Sequence, residues 1–133
     1  MKTELLNPQN SALVLIDFQP QMTFGVANID RQTLFNNVML LAKAAKIFNV
    51  PTVLTTVETK SFSGNFWPQL LDIFPDQEPV ERSSMNSWED AKLVAAVTAT
   101  GQSSSCGNPL HQHTHTVVGE HGNWEIGCTC FAF

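Results

Sequence analysis

Positive charge is scarce in this chain, and what there is of it is unevenly placed. Only seven of 133 residues are Lys or Arg, against twelve acids, and the formal net charge is -5. They form no cluster, so the electrostatic footprint of a nucleic-acid binder is missing. No apolar run approaches the length that spans a bilayer. The first ten residues are polar and lack the apolar stretch of a secretory signal. These absences lead to the expectation of a cytoplasmic protein with neither a membrane nor a nucleic-acid partner. Cysteine is sparse too: three, an odd number, argues against a disulfide framework.

The absences also divide the chain. Residues 1–100 hold all seven Lys and Arg but no Cys or His. Residues 101–133 hold all three Cys, all four His and five of the seven Gly, with no Lys or Arg. Glu120 and Glu125 are the only formal charges there. The expectation is one domain, since 133 residues are too few for two comfortable ones.

What is present first is an unbroken apolar run, Ala12-Leu13-Val14-Leu15-Ile16, followed by Asp17-Phe18-Gln19-Pro20. Such a run reads as a strand buried on both faces of a sheet. A carboxylate where the strand runs out lies at the carboxyl edge, where open α/β folds bind ligands. Asp17 is equally readable as a simple turn or cap.

Alternating strands and helices follow. Leu34, Val38, Leu41, Ala45 and Phe48 share one helical face over about Asp30 to Phe48, with Asp30 as cap and Asn49 and Pro51 as stop. Thr52 to Val57 is rich in β-branched residues and predicts a strand. Phe66 to Phe74 predicts a short helix with Pro68 in its first turn. A third strand is expected around Pro79 to Arg82. Ser87, with Asp90 three residues on, predicts a helix start, and Leu93, Val94 and Val97 its apolar face, ending at Gly101. The pattern predicts a mostly parallel sheet with right-handed crossovers. Three strands leave the sheet short. In the tail only Thr116-Val117-Val118 looks β-like, so an unpaired sheet edge and an aggregation-prone chain are expected.

The segments Ala12 to Gln19, Phe35-Asn36-Asn37-Val38, Phe48 to Thr56, Phe74-Pro75-Asp76, Arg82, Asn86-Ser87-Trp88 and Ala99-Thr100-Gly101 come in a telling order. Together they resemble isochorismatase-like cysteine hydrolases, in the YcaC-like branch, over roughly residues 8–102. The resemblance implies a three-layer α/β/α fold with a mostly parallel sheet of about six strands, truncated here. It implies hydrolysis of a C–N or related bond of a small-molecule substrate through Asp, a basic residue and Cys. Asp17 matches the acid and Arg82 the basic position. Read from the residues alone, Arg82 is more readily a surface partner of Glu78 or Glu81. A thiolate would attack the carbonyl, Asp17 would take the thiol proton, and Arg82 would favour the thiolate. Arg, unlike a buried Lys, stays charged and trades no proton. The branch also implies a homo-oligomer. No cofactor is implied. The metal motif of the nicotinamidase branch falls at Thr55-Thr56-Val57-Glu58, so no active-site metal is expected.

The family cysteine closes a stretch of the form V-V-x-A-G-x-x-T-x-x-C. By spacing it falls near His115; Cys106 is too early, and Cys128 and Cys130 too late. Codons for Gly107 to Thr114, read one base out of register, are compatible with Ala/Gly-Thr-Leu-Cys-Thr-Asn-Thr. The expectation is that residues 103–133 are a non-homologous, frameshifted tail and that the chain is inactive. The competing reading is a non-catalytic α/β scaffold whose His111, His113 and His115, with Cys106, Cys128 or Cys130, bind zinc or copper.

Several aromatic and polar residues stay open between two roles. Phe62, Phe66 and Trp67 read as pocket lining, core or subunit interface. Phe18 and Phe24 read as pocket or core, with core favoured for Phe18. Asn86 and Trp88 read as a polar lead-in to a helix with a packed Trp.

Overall fold

The computed structural model describes residues 7–27 and 29–102, and the backbone of three further strands at 104–109, 116–120 and 123–127. The elements run β1 (Ser11–Ile16), α1 (Pro20–Phe24), α2 (Arg31–Ile47), β2 (Thr52–Val57), α3 (Pro68–Ile73), β3 (Val80–Arg82), α4 (Ala91–Ala99), β4 (Ser104–Pro109), β5 (Thr116–Glu120) and β6 (Asn123–Gly127). The sheet has six strands in the order β3-β2-β1-β4-β5-β6. β3–β2, β2–β1 and β1–β4 are parallel, whereas β4–β5 and β5–β6 are antiparallel. The mostly parallel α/β sheet is therefore present.

β1 is central because its sequence cannot face water on either side. Leu13 and Leu15 join Phe18, Val38, Ala42, Leu54 and Leu70 under α2 and α3. Val14 and Ile16 face the other way, against Val53, Leu93 and Val97. So α2 and α3 cover one face and α4 the other, which gives the three α/β/α layers. Leu15, Leu54, Leu70 and Leu93 are almost wholly buried. Truncating any of them to Ala costs roughly 2–5 kcal/mol.

Local chemistry sets the boundaries. The Asp30 carboxylate accepts the Thr33 N–H at 3.0 Å and starts α2. Asn49, at φ 55°, carries the chain out of it. Gly101, at φ 69°, does the same after α4, a conformation glycine adopts without a Cβ penalty.

Several expectations change. Ser87 does not cap the last helix. It opens a single 3-10 turn, Ser87–Glu89, while Asp90 caps α4 by accepting from Lys92 and Leu93 N–H. An aspartate one residue before the first helical residue outcompetes a more distant serine. α1 was not foreseen, because five residues carry too little periodicity. The expected unpaired edge is also corrected: β4 lies along β1 with Ser11↔Ser104 through Ile16↔Pro109, and β5 and β6 extend the sheet. Ser104 to Pro109 has little β propensity. A parallel ladder is made by backbone groups, however, and Pro109 sits at the strand's last position, where a missing donor is tolerated. Among the described residues no helix is long and apolar enough to cross a membrane.

Candidate active site

The chain moves outward from β1 to β2 to β3, then α4 carries it back across the sheet to β4 on the other side of β1. The strand order therefore reverses between β1 and β4. In open α/β sheets the crevice at the carboxyl ends beside such a reversal is where ligands bind. Asp17, the first residue after β1, stands at that point.

Its backbone is unusual. Asp17 has φ 60°, a left-handed conformation that costs a non-glycine residue on the order of 1 kcal/mol. Its N–H still donates to Thr55 C=O at 3.0 Å, so the β1–β2 ladder runs one residue past the strand. Glu58, the residue after β2, is also left-handed at φ 46°, and its N–H donates to Arg82 C=O at 3.1 Å. Both strands thus end in a strained carboxylate residue.

Arg82 ends β3, two strands from Asp17. Two strand spacings make about 10 Å, a gap that needs a long side chain to cross. Arg82 Nη2 donates to Asp17 Oδ1 at 2.5 Å and Oδ2 at 2.6 Å. Nη1 donates to Ser84 C=O. The arginine side chain is wholly buried and that of Asp17 is 9 % exposed. Arg82 Nε is buried and, among the described residues, finds no partner. The structure brings Asp17 and Arg82 into one buried ion pair. Arg82 bonds neither Glu78 nor Glu81; Glu81 Oε1 instead accepts the Thr59 N–H at 3.1 Å.

A residue that sequence reasoning missed lies two positions beyond Asp17. Gln19 is fully buried. Its amide oxygen accepts the Val57 N–H at 3.0 Å, and its amide nitrogen donates to Val57 C=O at 3.0 Å and to Gly64 C=O. The available signal was a glutamine two residues after a buried strand, with no charged neighbour beyond Asp17 to explain it.

The other candidates separate. Phe18, Phe66 and Trp67 are core: Phe18 meets Phe66 and Trp67 edge-on, with centroids 6.3 and 5.2 Å apart. Phe62 and Phe24 are exposed, with Arg31 stacked over Phe24 at 4.6 Å. Asn86 accepts the Trp88 N–H and donates to Glu89, and Trp88 packs against the cluster that contains Leu93 and Val97, as a helix lead-in requires. Thr55 Oγ1 donates to Val80 C=O at 2.8 Å.

Cys106 lies inside β4, opposite Leu13. Cys128, Cys130, His111, His113 and His115 lie outside the described residues. Among the described residues no group of three or more His, Cys, Asp or Glu could hold a metal ion.

Comparisons with known proteins place this geometry. A family model described as the isochorismatase domain matches residues 11–104. The probable hydrolase YcaC of Escherichia coli K12 is 36 % identical over 98 residues, 73 % of this chain and 47 % of that protein. Its crystal structure, described as an octameric hydrolase of unknown specificity, superposes with a TM-score of 0.77 at 32 % identity, over 82 % of this chain and 54 % of that one. YcaC from Pseudomonas aeruginosa, solved with hexane-2,5-diol and covalent acrylamide, gives 0.78 at 29 %, over 82 % and 55 %. A Caenorhabditis elegans ribonuclease, MAR1, shares the fold alone, at 20 % identity and a TM-score of 0.64 over 80 % and 53 %. The chain thus spans about half the length of the relatives it matches.

Proposed function

This chain belongs to the isochorismatase family, and on that premise we propose that it carries the acid and the cation of a cysteine hydrolase site without the nucleophile. The reaction of the complete site is hydrolysis of a C–N, amide-type or related bond in a small molecule. The single observation that carries this reading is the buried Asp17–Arg82 ion pair beside the strand-order reversal.

The chemistry follows from the pair. A carboxylate has about four lone-pair sites on its two oxygens, so one that is paired with a guanidinium can still accept a thiol proton. A guanidinium that cannot lose its proton lowers the cost of a neighbouring thiolate. The thiolate adds to the carbonyl carbon, the amine leaves with the proton, and water then cleaves the acyl-enzyme with Asp17 as base. Backbone N–H groups beside the sulfur would hold the oxyanion.

The missing sulfur is supported by position. Cys106 sits in the interior of β4, three residues short of the strand's carboxyl end. The family match ends at residue 104, where the composition of the chain also changes. Both fit a tail, residues 103–133, that departs from the family through a shifted reading frame. The likeness to an octameric relative supports self-association. The alternative of a metal-binding tail rests on His111, His113, His115, Cys128 and Cys130, which lie outside the described residues.

The coding DNA around codons 100–116 tests the frameshift. The expected result is a longer frame that restores a cysteine after a Gly-containing stretch. A single intact frame would sink it. The restored protein should release amine from simple amides and incorporate acrylamide at that cysteine, while the chain as it stands does neither. Turnover by the present chain would overturn the proposal of a missing nucleophile.

A further inference from the structure

We propose that Gln19 is the positioning residue for the Asp17–Arg82 pair: its side-chain amide ties the end of β1 to the end of β2 and to the loop after it, and so aims the carboxylate. The inference builds on the functional reading above, but its test reads geometry, not turnover.

The argument starts from the strain at Asp17. A left-handed aspartate persists only where its surroundings hold it. Three ties converge on the three residues 17–19. Asp17 N–H donates to Thr55 C=O, and Phe18 C=O accepts the Trp67 N–H at 2.8 Å. Gln19 supplies the third from its side chain, to both backbone groups of Val57 and to Gly64 C=O. Gln19 N–H also donates to Asp17 C=O at 2.7 Å, closing a tight turn around Phe18. Of these three ties, the first two are made by backbone groups and the third by the Gln19 side chain.

The geometry shows why an amide is needed. Val57 is the last residue of β2, and β2 lies between the strands that carry Asp17 and Arg82. Val57 is also in register with Arg82. A group that both donates to and accepts from Val57 fixes the height of β1 against β2, and through β2 against β3. An uncharged amide side chain offers a donor and an acceptor side by side on separate atoms. The Gly64 contact adds the loop: Gly64 has φ 75°, and a Cβ there would approach Gln21 Oε1 to 2.6 Å. The loop therefore has one close seat, and Gln19 holds it there.

Hydrogen exchange by NMR on the whole chain tests this. In the unaltered protein the Gln19 side-chain amide, the Val57 and Asp17 N–H and the Arg82 guanidinium protons are expected to exchange through one shared opening. Gln19→Met keeps the volume and removes the hydrogen bonds. It should speed exchange at Asp17 N–H and at the Arg82 guanidinium about tenfold, the scale of losing buried hydrogen bonds, with α2 unchanged. A Leu54→Val control of similar stability loss should leave the pair at its original rates. The proposal fails if Gln19→Met frees Val57 alone, or if the control moves the pair equally. Should Gln19→Met not fold, separate openings for Gln19 and Arg82 in the unaltered protein would overturn it, and a shared one would uphold it.

Discussion

At the scale of single residues, the fold rests a charged pair in a place where neither partner tolerates being alone. Arg82 is 3 % and Asp17 6 % exposed. Removing one member of a buried pair leaves an uncompensated charge and costs about 3–5 kcal/mol. Arg82→Met should therefore lower unfolding free energy in urea by about 3 kcal/mol or more. Adding Asp17→Asn to it should recover part of that loss, because no charge is then stranded. Strict additivity of the two changes in a double-mutant cycle would show that the pair is not coupled. Arg82→Lys tests the fork: a point-charge ammonium cannot reach Asp17 and Ser84 together, so it should behave as a partial loss, not as a conservative change.

At the scale of elements, two aspartates start the two long helices by the same means. Asp90 accepts from two backbone N–H groups at the start of α4. Asp90→Ala should cost about 1 kcal/mol, read from thermal or urea melts, and Asp90→Asn much less. Asp30 adds a pH dependence. The Thr33 backbone N–H, then the Thr33 hydroxyl, hold its carboxyl below the ordinary carboxylate value. A lowered folded-state pKa adds stability that is fully present above the unfolded value and is lost as pH falls through the folded one. The stability of the unaltered chain relative to Asp30→Asn should thus be flat above about pH 5 and fall below about pH 4. A constant difference across that range would show that the charge at this cap does not matter to folding. The effect is small because Asp30 is fully exposed.

At the scale of the whole molecule, the sheet is extended on one side of β1 first by β4, which the sequence did not advertise, and then by β5, whose Thr116-Val117-Val118 it did. β4 pairs with β1 along its full length. Cutting the chain after Gln102 removes β4, β5 and β6 and opens the edge of the most apolar strand. That shorter chain should aggregate, as judged by size-exclusion chromatography, where the full chain elutes as a defined species. Equal solubility of the two would mean that β4 contributes nothing to covering β1.

Much of the fold was legible locally. A five-residue apolar run rich in Val and Ile reads as a strand covered on both faces, and it became β1. Thr52 to Val57 became β2 with those bounds, because β-branched residues lose little by being extended. Asp30 capped α2 because a carboxylate one residue before the first helical turn has free N–H groups to accept from. The resemblance singled out Asp17 and Arg82 as members of one site. Their local sequence could not show that they meet. They are 65 residues apart, and the partner of Arg82 depends on strand order and on a span across β2. Gln19 was invisible for the same reason: its partners are 38 and 45 residues away. The pairing of β4 with β1 was hidden too, since backbone ladders need no side-chain pattern to announce them. Sequence by itself determined which segments could be buried and how they start and stop, for burial and capping act over a few residues. Only the tertiary structure decided which charges share a site, because that follows from how distant strands are laid side by side.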